Sequence, residues 1–185
     1  MIRFMVALVL AWLTIGPVRA DDAAWASLAK GAIGLIRHGA TDGSQGDPSG
    51  FKLEDCATQR NLSAKGRADA ERIGARLKAE GIAFEKIISS PWCRCVDTAT
   101  LLQLGPVSSE PTFSNVVVLT DQRQSLTSGA RTVIEQWSGS GNLLAVTHGA
   151  NIAALTGIQP ASGEIVVVKK GSGGNIESVG RLLID

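Results

Sequence analysis

The sequence predicts a single α/β domain built on a mainly parallel central sheet, and three observations carry that prediction. After Asp21, short apolar runs alternate with stretches of helical spacing, as expected of strands joined by crossover helices. Beyond residue 20 the chain is about 165 residues long, enough for one sizeable core. The chain has two histidines, His38 and His148, and each follows an apolar run and precedes a glycine, in GLIRHGAT and LLAVTHGANI. That repetition marks two equivalent strand-turn-helix units.

Residues 1–20 are set aside as a leader. Arg3 gives a positive start, Phe4 to Ile15 is almost wholly apolar, and Val18-Arg19-Ala20 offers a small-residue cleavage site. The apolar stretch is too short for a comfortable membrane span. Removal is therefore expected rather than stable membrane insertion, with a mature chain, residues 21–185, beginning at or near Asp21. Without Arg3 and Arg19, 16 Lys and Arg face 17 Asp and Glu, a net charge near −1. No block of like charge stands out, which excludes the electrostatic footprint of a nucleic-acid binder. No obligate protein partner is evident either.

Ala32 to Arg37 reads as the first strand. The loop from Gly39 to Asn61 is rich in Gly, Asp and Pro and long for a compact domain, a length that usually serves function. Ser63 is a good N-cap for a helix that turns Ala68, Ala70, Ile73, Gly74 and Leu77 to the core, with Gly81 as its stop. Phe84 to Ser89 is a second strand, and Pro91 opens a helix running through Thr98 and Leu102. Pro111 to Leu119 contains a further strand-like stretch, and Thr127 to Trp137 has helical spacing. Ser138 to Asn142 turns into the strand Leu143 to Thr147, followed by a helix over Asn151 to Leu155. Ile165 to Val168 and Ile176 to Leu183, joined through GSGGN, form a terminal antiparallel pair. The Gly-rich stretches lack the strand-to-helix context of a nucleotide loop and are read as turns.

In an exported chain, Cys56, Cys93 and Cys95 point to one disulfide and one leftover thiol. A bridge between Cys93 and Cys95 would be strained, so a bridge from Cys56 to one of them is expected, with three buried free thiols as the alternative. The thiols lack a second close pair and a histidine at finger-like spacing, so no metal site is expected.

Ligands of a parallel α/β sheet gather at the carboxyl ends of its strands. His38, His148 and Arg37 fall there, and Ser89-Ser90-Pro91 brings Arg94 onto the first turn of the following helix. Guanidinium offers a planar fork that matches phosphate oxygens and stays charged at any relevant pH. Two guanidiniums beside two imidazoles describe a site for a phosphoryl dianion. Arg60 is a candidate for the outer portion of the substrate, the alternative being a solvated arginine. A Ser or Cys hydrolase has little support, since no G-x-S-x-G elbow is present.

With Arg37-His38-Gly39, SSPWCRCVDTA around Arg94, the late His148-Gly149 and the lesser element NLSAKGRADA, the sequence resembles the histidine phosphatase superfamily, which includes the cofactor-dependent phosphoglycerate mutases. EDCATQRNLS, the cysteines around Arg94 and the leader look most like an exported bacterial branch. The resemblance implies the three-layer fold of that superfamily and a metal-independent phosphomonoesterase without cofactor. In it His38 attacks phosphorus to give a phosphohistidine that water then hydrolyses, and a phosphorylated small molecule or envelope component is the substrate. Arg37, Arg94 and His148 would hold the phosphoryl oxygens, with Gly39, Thr41 and Gly149 completing the cradle. For the leaving-group acid the region between Arg94 and His148 offers Glu110, Asp121 and Glu135. Asp121, at the end of the apolar run Val116 to Leu119, is favoured. The mutase acid motif is not visible, which disfavours the alternative of a phosphomutase. A third reading is a catalytically idle binder of phosphorylated ligands.

Overall fold

The computed structural model describes residues 20–43 and 46–184. The expected leader lies outside them, apart from Ala20. The elements are α1 (Ala20–Leu28), β1 (Ile33–Arg37), α2 (Ala64–Ala79), β2 (Phe84–Ser89), α3 (Cys93–Leu101), β3 (Val107–Ser109), α4 (Arg123–Gln136), β4 (Asn142–Thr147), α5 (Gly149–Thr156), β5 (Ile165–Lys170) and β6 (Ile176–Leu182). They build one six-stranded sheet in the order β3-β2-β4-β1-β5-β6. The first four of these run parallel, while β5 and β6 are antiparallel to their neighbours. Among the described residues no helix is long and apolar enough to cross a membrane.

Alternation along the strands sorts the core onto two faces of the sheet. On β4, Leu144 and Val146 join Ile36, Ile73, Leu77 and Leu28 on one side, beneath α1, α2 and α3. Leu143 and Ala145 join Leu35, Ile134, Ile152 and Leu155 on the other, beneath α4 and α5. All six residues of β4 are buried, as a central parallel strand requires. Asn142 opens that strand with its amide fully used: its side chain donates to Leu28 and Ala83 and accepts from the Ala32 N–H.

Ser63 caps α2 as expected, accepting from the Gly66 N–H. Gly81 takes a positive φ of 71° just past the end of α2. Ala70, Ile73, Gly74 and Leu77 are buried, but Ala68 is exposed; Gly66 takes the buried place in the first turn instead. A Cβ on Gly66 would stand 2.0 Å from the Ala40 carbonyl oxygen, so this glycine lets the chain beyond His38 lie directly against the helix.

The expected strand within Pro111–Leu119 does not form. A short 3-10 turn covers Pro111–Phe113 and a further turn covers 116–118. Asn151 of α5 accounts for this. Its side chain donates to the Phe113 and Ser114 carbonyls and accepts from the Val116 N–H, so the backbone groups that a strand would pair are taken by one amide. The outer strand is instead the three-residue β3, which has no apolar periodicity to announce it. The helix expected over Thr127 to Trp137 begins earlier, at Arg123.

Candidate active site

Parallel pairing of β1 with β4 sets Arg37 opposite Thr147, and the next amide, that of His38, donates to the Thr147 carbonyl at 2.9 Å. On the other side of β4 the Ser90 N–H donates to Val146. The chain therefore leaves β1, β2 and β4 at one edge of the sheet, and His38, His148 and Ser90 leave with it. The two imidazoles lie 5.5 Å apart, edge to face, and are 4% and 3% exposed.

A cavity of about 320 Å³ opens over them, lined by Arg37, His38, Arg60, Arg94 and His148 together with Gly149, Ala150, Gln159, Asn115, Val117 and Val118. A larger cleft, of about 700 Å³, lies at the opposite edge of the sheet around Trp137 and Lys169 and contains no histidine or arginine. The smaller cavity gathers both histidines and three arginines.

His38 holds one ring nitrogen in place: Nδ1 lies 2.8 Å from the Gly39 carbonyl oxygen. A carbonyl can only accept, so Nδ1 carries the proton and Nε2 keeps its lone pair. Burial, and then the nearby Arg94, Arg37 and Arg60, push the His38 pKa down to about 3, so the ring is neutral at neutral pH. Burial also drives His148 well below its ordinary value, with His38 and the arginines adding to it. Its Nε2 lies 2.9 Å from Ser90 Oγ, and the free thiol of Cys95 packs 3.7 Å away. Burial pushes the Cys95 thiol up to about 12, so it is inert at neutral pH.

Three guanidiniums reach the cavity. Arg37 donates to the Pro160 carbonyl, and Gln159 Nε2 packs close beside Gly149, 2.6 Å from where a Cβ would stand. Arg94 donates from Nη1 and Nη2 to the carboxylate of Asp47 at 2.6 and 3.3 Å, both side chains being 1% exposed. The Nε atoms of Arg37, Arg60 and Arg94 are all buried, with no hydrogen-bond partner among the described residues. Three buried donors of like charge around one cavity, none with a partner among the described residues, constitute an anion site. Among the described residues only one carboxylate, Asp47, is bonded to these guanidiniums, which leaves two positive charges without a bonded counter-charge there and matches a phosphoryl dianion. The opening turn of α5, at Gly149 and Ala150, adds the partial positive charge of a helix N-terminus.

Most of the expected site residues converge: Arg37, His38, Arg60, Arg94, His148 and Gly149 line the cavity. Gly39 does not, because its N–H is taken by Thr98 Oγ1 at 3.0 Å, and Thr41 pairs with Leu62 at the base of the long loop. Asp121 is not brought to the site. The strand that was to deliver it is absent, and it sits exposed in the 3-10 turn Thr120–Gln122, beside a separate cleft. Glu110 caps Thr112, and Glu135 lies on α4; neither lines the cavity. Among the described residues no carboxyl does, and no group of three or more His, Cys, Asp or Glu is placed to hold a metal ion. Cys56 bonds to Cys93, and Cys95 is the leftover thiol. Asp47, Asn115 and Gln159 are site residues that the sequence reasoning missed.

A family model described as the histidine phosphatase superfamily (branch 1) matches residues 33–118, which span Arg37, His38, Arg60 and Arg94. No curated protein gives a significant match. Among solved structures, the chain is similar to the protein histidine phosphatase SixA complexed with tungstate, at 16% identity, 81% of this chain, 95% of that chain and a TM-score of 0.56. It is also similar to a candidate alpha-ribazole-5'-P phosphatase from Escherichia coli, at 18% identity, 84% and 97% coverage and a TM-score of 0.60. A mycobacterial glucosyl-3-phosphoglycerate phosphatase is a third, at 18% identity, 82% and 96% coverage and a TM-score of 0.56. These likenesses establish the shared fold. The family match spans the first histidine and the arginines, so residues 33–118 match the histidine phosphatase superfamily, whose fold the chain shares.

Proposed function

We propose that this protein is a phosphohydrolase that works through a phosphohistidine on His38, exported to the periplasm. One observation carries the reading most directly: a neutral imidazole, its Nδ1 proton held by Gly39, stands beside three arginines whose Nε–H groups have no partner among the described residues. Nε2 attacks phosphorus, a P–N bond forms, and the bond to the leaving group breaks. Water then attacks the same phosphorus, the P–N bond breaks with its electron pair returning to Nε2, and inorganic phosphate leaves with the oxygen and both protons of that water. Arg37, Arg60, Arg94 and the α5 N-terminus oppose the charge gathered on the phosphoryl oxygens in both steps.

No carboxyl among the described residues is placed to protonate the leaving group, so this reading favours groups that depart without one. Aryl phosphates and phosphoramidates, including the phosphorylated imidazole that the name of the SixA relative describes, meet that condition better than simple alkyl phosphates. The Cys56–Cys93 bridge supports export, since disulfides persist in oxidising compartments. The test is hydrolysis of 4-nitrophenyl phosphate by the protein and by His38→Ala, with EDTA present. Activity that survives EDTA and disappears in His38→Ala supports the reading. Equal activity in both proteins rules it out.

A further inference from the structure

The long loop between β1 and α2 contributes more than a wall to the cavity. Its base is closed by pairing of Thr41 with Leu62. Its interior is tied by Gln59, which donates to the Lys52 and Leu53 carbonyls and accepts from the Cys93 N–H. The Cys56–Cys93 bond fastens it again, one residue before Arg94. A loop anchored twice at the turn from which Arg94 projects has its position set relative to that arginine.

Asp47 is what the loop delivers. Its carboxylate accepts four hydrogen bonds: two from Arg94, one from the Trp92 indole N–H at 3.1 Å and one from the Arg60 backbone N–H at 3.1 Å. Burial alone would raise this carboxyl; the Arg94 and Arg60 bonds outweigh it and hold the group below its ordinary value, hence ionised. Asp47 does not line the cavity that holds His38.

The geometry of guanidinium gives this pairing a consequence. Nη1 and Nη2 form one fork at the end of the group, and Nε with the remaining Nη2 hydrogen forms a second fork along its side. Asp47 occupies the end fork. The side fork is left, and its Nε–H is buried and, among the described residues, unpartnered. We propose that Asp47 is a positioning residue: by taking the end fork of Arg94 it fixes the side fork as the edge that meets the phosphoryl group. The proposal rests on the phosphoryl-binding reading of the cavity. It does not require turnover.

The test is a double-mutant cycle on binding of inorganic phosphate, followed by calorimetry in wild type, Asp47→Asn, Arg94→Ala and the double variant, with urea unfolding to confirm that each is folded. A residue that acts through Arg94 has nothing left to do once Arg94 is gone. Asp47→Asn and Arg94→Ala are each expected to weaken phosphate binding on the order of ten- to a hundredfold, and the double variant to bind no more weakly than Arg94→Ala. Losses that multiply would overturn the proposal, and so would undiminished binding in Asp47→Asn. If Asp47→Asn does not fold, Asp47→Glu takes its place in the cycle; it keeps the charge and displaces the fork. Phosphate binding by a wild-type protein that hydrolyses nothing would defeat the phosphohydrolase reading and leave this one standing. A wild-type protein that binds no phosphate overturns both.

Discussion

Lowering the pH should destabilise this protein well before its carboxylates begin to titrate, because both imidazoles are buried in their neutral form. His38 has a folded pKa of about 3 against an ordinary value of 6.5, with burial the largest cause, and His148 is displaced in the same direction. Above the ordinary value both folded and unfolded chains carry neutral rings, and nothing is gained or lost. Below it the unfolded chain binds protons that the folded chain refuses, so stability falls until the folded rings also protonate. For His38 the slope is about 1.4 kcal/mol per pH unit. Between about pH 6.5 and about pH 4.5, His38 alone should cost about 2 kcal/mol, and His148 adds a loss of the same sign. A domain with a total stability of roughly 5–15 kcal/mol will register that loss. Asp47, Asp69 and Glu164, also depressed in the fold by their arginine or lysine partners, add losses of the same sign only near and below their ordinary values of 3.8 to 4.5. The upper window therefore belongs to the histidines. Urea unfolding followed by tryptophan fluorescence, in phosphate-free buffer, gives the stability at each pH. His38→Gln should remove the His38 share of that slope, about 1.4 kcal/mol per pH unit. Stability that is flat across the window, or an unchanged slope in His38→Gln, would refute the reasoning.

Two further perturbations bear on the loop that frames the site. Replacing Cys56 and Cys93 by serine opens a crosslink spanning 37 residues. The loop-entropy relation puts the loss at about 4 kcal/mol, measurable as a lowered urea midpoint; an unchanged midpoint would mean that the loop is held by its hydrogen bonds alone. Gly66→Ala places a Cβ 2.0 Å from the Ala40 oxygen. It should cost about 1–3 kcal/mol and lower kcat for an aryl phosphate, since Ala40 lies two residues from His38; wild-type stability and activity would contradict that close approach.

What was legible in the sequence shares one property: it is local. The apolar run ending in His-Gly occurs twice, so the strand ends, the parallel sheet and the two imidazoles could be read without coordinates, as could Arg37 and Arg94 beside them. Ser63 announces its helix because an N-cap is a local device. Asp47 stands between Gly46 and Pro48 and looks like a turn residue; its partner Arg94 is 47 positions away, and no periodicity connects them. The failed strand shows the same limit. Val116, Val117 and Val118 have the composition of a strand, but Asn151, from a helix far along the chain, takes the backbone groups that would have paired. With that strand went the route by which Asp121 was to reach the cavity. β3 and α1 were missed for simpler reasons: one is three residues long, and the other abuts the leader-like segment.

The central claim is that His38 Nε2 carries the phosphoryl group between substrate and water, and the most direct measurement is to trap it there. Brief incubation with a radiolabelled aryl phosphate, quenching in base and peptide mapping should place the label on His38, stable in base and released by acid. The same treatment of His38→Ala should leave the protein unlabelled. Label that survives acid, that maps elsewhere, or that persists in His38→Ala would contradict the account.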